Sequence, residues 1–417
     1  LPPLVLPWGR VFDHGVCVGT TGAGKTQIFA PLTDSMMAVE NSVVFILDIK
    51  GDYTSMYLSG EAGSNVRLLS VPDSRSLRYS IELDRSTDAE FISNILVTPR
   101  PGDNNPYFTD AAREVLTGIL LGIKATTQAT PGSPAAIPWA AILAAVVDVD
   151  RIRELLQVTA KGQMALDHVK GNSGQTQGVL GMLKSSLSFL SEMAQAWPGE
   201  PDFSVRRFIR EERGQRTVIL RYHPSYPVIS EKVLGVFLEM ALAEILALDQ
   251  AEADRQTFFL VLDECQNLPK LRLAHYLATV REKRCSIWYT FQSSAGMKSK
   301  YKEDFNTIFE MAGTMVILRC NGETAEFVSK SLGDQEVLQT ATNRSSGSTS
   351  GQNASSNESE STSNTLKQER AVLTGEIVSL PTVRSAGKVQ GLLRLGGLPI
   401  VPMSWPVGLG RPRAYPE

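Results

Sequence analysis

The segment "GTTGAGKT" at residues 19–26 restricts the possible folds more than any other feature of this chain. An apolar run, "GVCVG", leads into it, and a helical pattern follows from 25 to about 39. In a strand–loop–helix context, the spacing GxxxxGK[ST] forms a loop whose backbone N–H groups point at phosphate oxygens. The N-terminus of the following helix adds a partial positive charge. The expected phosphate-binding residues are Gly19, Thr20, Thr21, Gly22, Ala23, Gly24, Lys25, Thr26 and Gln27.

Side chains at the end of this loop, together with a second motif, indicate a nucleotide site. Lys25 can reach the β- and γ-phosphates of ATP, and the Thr26 hydroxyl can ligate Mg²⁺. The run "FFLVLDECQNL" is an apolar strand that ends in Asp263 and Glu264. We predict that Asp263 holds Mg²⁺ through water and that Glu264 is the catalytic base. Without the phosphate loop, such an acidic pair would fit an ordinary loop start or helix N-terminus equally well.

Three further side chains are candidates for contact with the γ-phosphate. Gln292 ends the next apolar run, "CSIWYTFQ", and ligands of open α/β sheets bind at the carboxyl ends of strands. Its amide can therefore report the nucleotide state, although a glutamine that caps a loop is the alternative. Arg281 and Arg284 lie between the two strands, and either could stabilise a transferring phosphoryl group from a neighbouring subunit. A solvated helix end accounts for either arginine as well.

The order of apolar runs predicts an α/β fold with a mostly parallel sheet and an inserted helical segment. Residues 1–83 read as the first part of a nucleotide-binding domain, with strand, loop, helix and strand. Residues 84–205 lack comparable strand runs and carry apolar residues at helical spacing, so we predict an all-α domain there. Residues 206–417 return to alternating strands and helices. Within them, the Ser/Thr-rich stretch at about 340–365 is predicted to be irregular and mobile.

Composition excludes several classes of protein. The 41 basic and 44 acidic residues leave a net charge of −3, which excludes a strongly basic nucleic-acid binder but not a local DNA-binding patch. The four cysteines form no CxxC pair, so a disulfide framework or a structural zinc site is not expected. No apolar run reaches the length of a spanning helix.

Taken together, these motifs resemble the coupling proteins of type IV secretion and bacterial conjugation, the TraG/TraD family of P-loop ATPases. The resemblance spans most of the chain, and the order and spacing of its segments are more specific than any one of them. Besides the phosphate loop, it rests on "FILDIKGDY", "NPYFTDAAREVLTGIL", "FLVLDECQNL", "REKRCSIWYTFQSS", "FVSKSLGD" and the closing "ERAVLTGEIVSLP" and "GLLRLGGLPIVPM".

The resemblance implies a RecA-like P-loop domain with an all-α domain inserted between the two nucleotide motifs, assembled as a homo-hexamer with ATP sites between subunits. It favours Arg281 over Arg284 as the arginine given to the neighbouring subunit's site, because Arg281 stands eleven positions before Gln292. It also matches Asp48, Lys50, Gly51 and Asp52 to a "DxKG" signature, whose role stays open between shaping the pocket and closing the strand.

The expected function is an ATP-hydrolysing motor that recruits DNA, single- or double-stranded, or relaxase and effector proteins through the all-α domain, and passes them to a type IV secretion channel. Relatives usually carry a pair of N-terminal membrane helices, which are absent here, so either the sequence starts after them or this member is soluble. Because the sequence begins at Leu1, we expect the first, with an anchor outside this sequence and a location at the cytoplasmic face of the bacterial inner membrane. Two alternatives stay open: an FtsK/HerA-like DNA pump or secretion-pilus assembly ATPase, and a nucleotide-gated docking platform with little turnover.

Overall fold

The computed structural model describes residues 7–58, 65–99, 105–127, 135–348 and 356–407. Most of the apolar runs identified in the sequence form strands. The strands are β1 (Gly15–Val18), β2 (Ser42–Asp48), β3 (Val66–Leu69), β4 (Ile81–Leu83), β5 (Ala135–Ile137), β6 (Arg216–Arg221), β7 (Thr257–Leu262), β8 (Cys285–Phe291), β9 (Thr314–Ile317), β10 (Asp334–Ser348), β11 (Ser356–Arg370), β12 (Lys388–Leu395) and β13 (Val401–Pro406).

Helices connect these strands and fill the segment between β4 and β6. In the first half of the chain they are α1 (Trp8–Val11), α2 (Lys25–Met37), α3 (Asp52–Tyr57), α4 (Ser86–Leu96), α5 (Tyr107–Thr127), α6 (Trp139–Val147), α7 (Val149–Gln157), α8 (Ala160–Ala165), α9 (Gly174–Ser186), α10 (Leu190–Ala196) and α11 (Val205–Arg210). In the second half they are α12 (Pro227–Leu246), α13 (Gln250–Ala253), α14 (Leu273–Thr279), α15 (Ser294–Tyr301), α16 (Asp304–Glu310), α17 (Gly322–Ser331), α18 (Thr374–Ser379) and α19 (Val383–Ala386). Short 3₁₀-helices lie at Leu166–His168, Cys265–Asn267 and Val280–Lys283.

The central sheet has the order β13-β12-β9-β1-β8-β7-β2-β6-β3. The strands from β9 to β3 are mutually parallel, whereas β12 and β13 extend the sheet with antiparallel pairings. Strands β1, β2, β7 and β8 are buried along their whole length, as expected for parallel strands covered on both faces. Because β1 lies between β8 and β9, the loop that follows it opens beside the ends of both neighbours.

Alternate residues of the strands pack into two different apolar clusters, one on each face of the sheet. Phe45 and Leu47 of β2 join the larger cluster, which continues through α12 into the helical segment. Val44 and Ile46 join the smaller cluster, which α2 and β12 cover. The sheet and the helical segment therefore share one core, and the boundaries predicted at 83/84 and 205/206 stay predictions.

Two details of the segment 84–205 and its surroundings differ from the sequence-based expectation. Short strand β5 interrupts the helices and pairs antiparallel with β4, which ties the segment to its entry point. Helix α11 extends past the predicted end of the segment, to Arg210. Residues 128–134 of this segment lie outside the described chain.

The prediction of an irregular stretch at 340–365 is wrong for the residues that the structure describes there. Strands β10 and β11 pair antiparallel from Asp334↔Arg370 to Ser348↔Ser356. Residues 349–355 lie outside the described chain. The composition correctly indicated little burial, but backbone hydrogen bonds between strands do not require burial. Contacts between side chains, such as Thr340 Oγ1 to Asn364 Oδ1 at 2.9 Å, add to the pairing.

Two other expectations from composition can be compared with the structure. All four cysteines are buried and free. In the described ranges, no helix is both long enough and apolar enough to cross a membrane.

Tyr79 connects the sheet side of the core to the helical segment, so its substitution tests their shared packing. Its ring packs edge-on against Trp139, Trp197 and Phe237, and its hydroxyl donates to the Val233 carbonyl at 2.6 Å. We expect Tyr79→Phe to lower the free energy of unfolding by about 1–2 kcal/mol, because a buried hydrogen bond is lost. Tyr79→Ala should lower the free energy of unfolding by about 3–5 kcal/mol. Urea unfolding measures both, with Tyr226→Phe, at an exposed position, as the control.

Candidate nucleotide-binding site

The loop between β1 and α2 has the backbone conformation that its glycines permit. Gly22 and Gly24 have φ values of 76° and 105°, in the left-handed region that other residues rarely adopt. A Cβ added to Gly24 would also lie 2.7 Å from the Val389 side chain and 2.9 Å from that of Val383. The C-terminal segment therefore packs directly against the loop, and both the curvature and the close packing require glycine at this position.

Neighbouring strand ends hold the loop in place. The Gly19 N–H donates to the Phe291 carbonyl at 3.3 Å, at the end of β8. The Thr20 N–H donates to the Arg319 carbonyl at 2.8 Å, just past β9. The Gly22 carbonyl accepts from the Val383 N–H at 3.4 Å. These backbone contacts fix the loop from both sides and leave Thr21 and Gly22 exposed at its tip.

Lys25 is buried inside the curl of the loop. Its ammonium donates to the carbonyls of Gly19 at 2.8 Å and Thr20 at 3.2 Å. Burial lowers the pKa of Lys25, while the carboxylates of Glu264 and Asp263 act in the opposite direction. A phosphate group beside this buried cation would supply the opposite charge that its surroundings provide only in part.

The other predicted residues of the set lie in the loop and the first turn of α2. Ala23 is buried, and Thr26 and Gln27 are half-buried.

The two acids that follow β7 are both buried, and each has a defined partner. Asp263 accepts a hydrogen bond from the Thr290 hydroxyl at 2.7 Å, and the Glu264 N–H donates to that same hydroxyl at 2.9 Å. Burial raises the pKa of Asp263, and the bond from Thr290 opposes this rise. Glu264 has φ 51°, so the chain turns sharply and directs the two carboxylates differently. Thr290 on β8 therefore orients both acids.

A row of side-chain contacts crosses the carboxyl ends of β1, β8, β7 and β2. The Thr21 hydroxyl of the loop donates to Gln292 Oε1 at 2.7 Å. The Gln292 amide in turn donates to Glu264 Oε1. Lys50 Nζ forms an ion pair with the same Glu264 oxygen at 2.6 Å. The phosphate loop, the predicted γ-phosphate sensor and the predicted catalytic base are thus in direct contact.

The "DxKG" turn after β2 has a structural explanation that the sequence left open. Buried Asp48 accepts hydrogen bonds from the N–H groups of Gly51 at 2.8 Å and Thr54 at 2.7 Å, and from the Thr54 hydroxyl at 2.6 Å. Gly51 has φ 84° and precedes α3, of which Asp52 is the first residue. Asp48 therefore closes the strand and fixes the turn, and the turn holds Lys50 beside Glu264.

Arg281 lies at the opposite edge of the sheet from the loop of its own chain. It precedes β8, and its guanidinium pairs with Asp13, ahead of β1, at 2.9 Å. Because β1 and β8 are parallel, the seven residues of β8 separate Arg281 from Gln292 by roughly 20 Å. Arg281 thus cannot act at its own site. Arg284 is engaged elsewhere, with its guanidinium donating to the Asp254 carbonyl at 3.0 Å.

The oxygen groups around the loop fit Mg²⁺ bound together with a nucleotide. In the part of the chain that the structure describes, no cluster of three or more His, Cys, Asp or Glu residues could hold a metal by itself. Mg²⁺ commonly binds through one or two protein oxygens, with phosphates and waters completing its shell. Thr26, in the first turn of α2, and buried Asp263, directly after β7, carry oxygen atoms of that kind.

Comparisons with known proteins agree with this fold. A model of the family described as the type IV secretion-system coupling protein DNA-binding domain matches residues 1–404. The chain belongs to this family of coupling proteins. The match decides among the related ring ATPases that the motifs alone left open, in favour of the coupling proteins over the pumps and pilus-assembly enzymes. No curated protein sequence matches the chain.

Solved structures show the same fold. The unbound conjugative coupling protein TrwBdeltaN70 has a TM-score of 0.72 at 19% identity, over 98% of this chain and 87% of that one. Plasmid coupling protein TrwB in complex with ADP and Mg²⁺ has a TM-score of 0.73 at 20% identity, over 99% and 88%. VirB4 of Thermoanaerobacter pseudethanolicus has a TM-score of 0.58 at 12% identity, over 99% and 94%. The α/β fold with a mostly parallel sheet and added helices, as predicted, is therefore confirmed.

Proposed function

We propose that this coupling protein hydrolyses ATP at the loop of residues 19–26 to drive substrate transfer into a type IV secretion channel. The observation that carries this proposal is the contact row from Thr21 through Gln292 to Glu264. It joins a phosphate loop directly to a buried carboxylate. A loop that only bound nucleotide would not need this connection. The related TrwB, in complex with ADP and Mg²⁺, supports the choice of ligands.

The chemistry follows from where the side chains lie. Loop N–H groups bind the phosphates, and Lys25 exchanges its bonds to the loop carbonyls for the β- and γ-phosphate oxygens. Thr26 and Asp263 would hold Mg²⁺, which when bound neutralises charge on those oxygens. A water attacks the γ-phosphorus, the bond to the β-phosphate oxygen breaks, and Glu264 accepts a proton from the water. Gln292, bonded to both Thr21 and Glu264, is placed to sense the γ-phosphate.

Assembly completes the site in this proposal. Because Arg281 lies at the far edge of the sheet, it can contact a nucleotide only in another subunit. A head-to-tail ring, proposed to be a homo-hexamer, places that edge of one subunit at the loop edge of the next. The guanidinium then stabilises the charge that develops on the transferring phosphoryl group.

The proposed partners and location are based on the family match. We propose that the segment 84–205 recruits DNA, single- or double-stranded, or relaxase and effector proteins. The assembly would lie at the cytoplasmic face of the bacterial inner membrane, attached through a segment outside this sequence. The family description as a DNA-binding domain supports the DNA part of this proposal.

Lys25→Ala tests the nucleotide site itself. We expect it to lower steady-state ATP hydrolysis by about 100-fold or more, since the buried cation facing the phosphates is lost. A phosphate-release assay measures the rate, with Lys298→Ala as control, because Lys298 pairs with Glu323 on a surface helix. Hydrolysis at the parent rate in the Lys25 variant would contradict the assignment. Nucleotide-dependent partner binding by assembled parent protein without turnover would instead support the docking platform.

A further inference from the structure

Lys50 forms an ion pair with the predicted catalytic base. A role in ending strand β2 would not require this contact. Its ammonium lies 2.6 Å from Glu264 Oε1, and the Gln292 amide donates to that same oxygen. The other carboxylate oxygen of Glu264 has a long contact, 3.4 Å, with the Asn267 amide. The Glu264 side chain is 7% exposed, so the carboxylate side of this pair is largely shielded from water.

Lys50 and Gln292 together occupy one oxygen of the predicted base. A carboxylate oxygen must be free to accept a proton from water, and Glu264 Oε1, with two donors on it, is not free. Partial burial lowers the pKa of Lys50, but the bond to Glu264 and the charges of the nearby carboxylates together outweigh it, so the pKa of Lys50 is raised. Lys50 is therefore a full cation, and its charge is directed at Glu264.

The same cation lies within electrostatic reach of the phosphate loop. Gln292, which shares Glu264 Oε1 with Lys50, also accepts a hydrogen bond from the Thr21 hydroxyl of the loop. After burial, the charge of Lys50 is among the causes that lower the pKa of Lys25. The Lys50 side chain is 41% exposed, and its flexible four-carbon stem starts from a turn that Asp48 fixes. A γ-phosphate bound at Lys25 would thus compete with Glu264 for Lys50.

We propose that Lys50 is a nucleotide-controlled latch, which holds Glu264 when the γ-phosphate is absent and releases it by moving to the γ-phosphate of ATP. The latch rests on the proposed ATPase function and adds a step to it. ADP has no γ-phosphate, so with ADP bound Lys50 stays on Glu264. Lys50 therefore serves as a positioning residue for the base and as a determinant of the preference for ATP over ADP.

Equilibrium binding of a non-hydrolysable ATP analogue, AMP-PNP, and of ADP, each with Mg²⁺, separates this role from a structural one. We expect Lys50→Ala to weaken AMP-PNP binding about tenfold, because a bond to a charged group is lost. ADP binding should change by less than about twofold, as for a surface ion pair. Lys50→Arg should keep most of the preference for AMP-PNP over ADP. Lys298→Ala is the matched control, since that lysine is also ion-paired to a glutamate and is 43% exposed.

The outcomes distinguish the latch from the function on which it rests. Parent protein that binds neither nucleotide, or binds both independently of Lys25, overturns the proposed function. Parent protein that binds through Lys25, with an unchanged AMP-PNP to ADP ratio in Lys50→Ala, overturns the latch alone. Should Lys50→Ala fail to fold, a crystal structure of the parent protein with Mg²⁺ and AMP-PNP decides. Lys50 Nζ on the γ-phosphate supports the latch, and an intact bond to Glu264 overturns it.

Discussion

Glu264→Gln should slow ATP hydrolysis by about 100-fold or more, because an amide cannot take the proton of the attacking water. Binding of ATP should persist, since the phosphate loop and Lys25 are unchanged. The fold should persist as well, because the amide oxygen can still accept from Gln292 and Lys50, the two donors on the present carboxylate oxygen.

Two assays on the same preparation check this expectation: phosphate release under steady state, and equilibrium binding of ATP. Glu323→Gln is the matched control, because that glutamate pairs with Lys298 at 2.8 Å at the surface, with its side chain 59% exposed. A Glu264→Gln protein that hydrolyses ATP as fast as the parent would remove Glu264 from the reaction. Loss of ATP binding together with hydrolysis would instead mean that Glu264 supports the nucleotide rather than the water.

Arg281→Ala should lower hydrolysis by about 1,000-fold in the assembled protein, the size of effect typical of an arginine supplied between subunits. The free energy of unfolding should change by at most about 1 kcal/mol, because the Arg281 side chain is 60% exposed and its pair with Asp13 lies at the surface. Activity and stability should thus respond very differently to this one change.

Arg284→Ala is the control that separates the two arginines. Its guanidinium donates to the Asp254 carbonyl and to Thr257 at the start of β7, so its loss should affect stability rather than activity per folded subunit. A small effect of Arg281→Ala on hydrolysis, combined with a large effect of Arg284→Ala at unchanged stability, would reverse the assignment.

Much of the site could be predicted because parallel strands place their carboxyl ends at one edge of a sheet. Gly19, Glu264 and Gln292 each follow an apolar run, and the sequence identifies those runs without knowing their order. The bond between Lys50 and Glu264 could not be predicted in this way. It exists because β2 pairs with β7, and pairing between strands more than 200 residues apart depends on the whole topology.

Thr290 illustrates a second limit of the sequence. It stands two residues before Gln292 on β8, and the period of two places both side chains on the same face of the strand. That spacing could have identified it, but a threonine inside an apolar run is also an ordinary strand residue. Only the contacts with Asp263 and with the Glu264 N–H show that it orients the two acids.

The β10–β11 hairpin shows why composition misled in one region. Ser, Thr and Asn residues bury little apolar surface, which is the basis on which an irregular stretch was expected. Pairing instead depends on register between distant residues, such as Arg344, which bonds to Glu360 at 3.2 Å. The average composition of the stretch does not predict such a register.

A mixing experiment tests directly whether the ATP site is completed between subunits. Glu264→Gln and Arg281→Ala proteins are combined in equal amounts, at a concentration where sedimentation shows that the parent protein is assembled, and hydrolysis is measured. In randomly mixed rings, about a quarter of the interfaces unite an intact Glu264 with an intact Arg281. We predict that the mixture regains activity well above that of either variant alone. A mixture that assembles but is no more active than its two components would contradict a shared site.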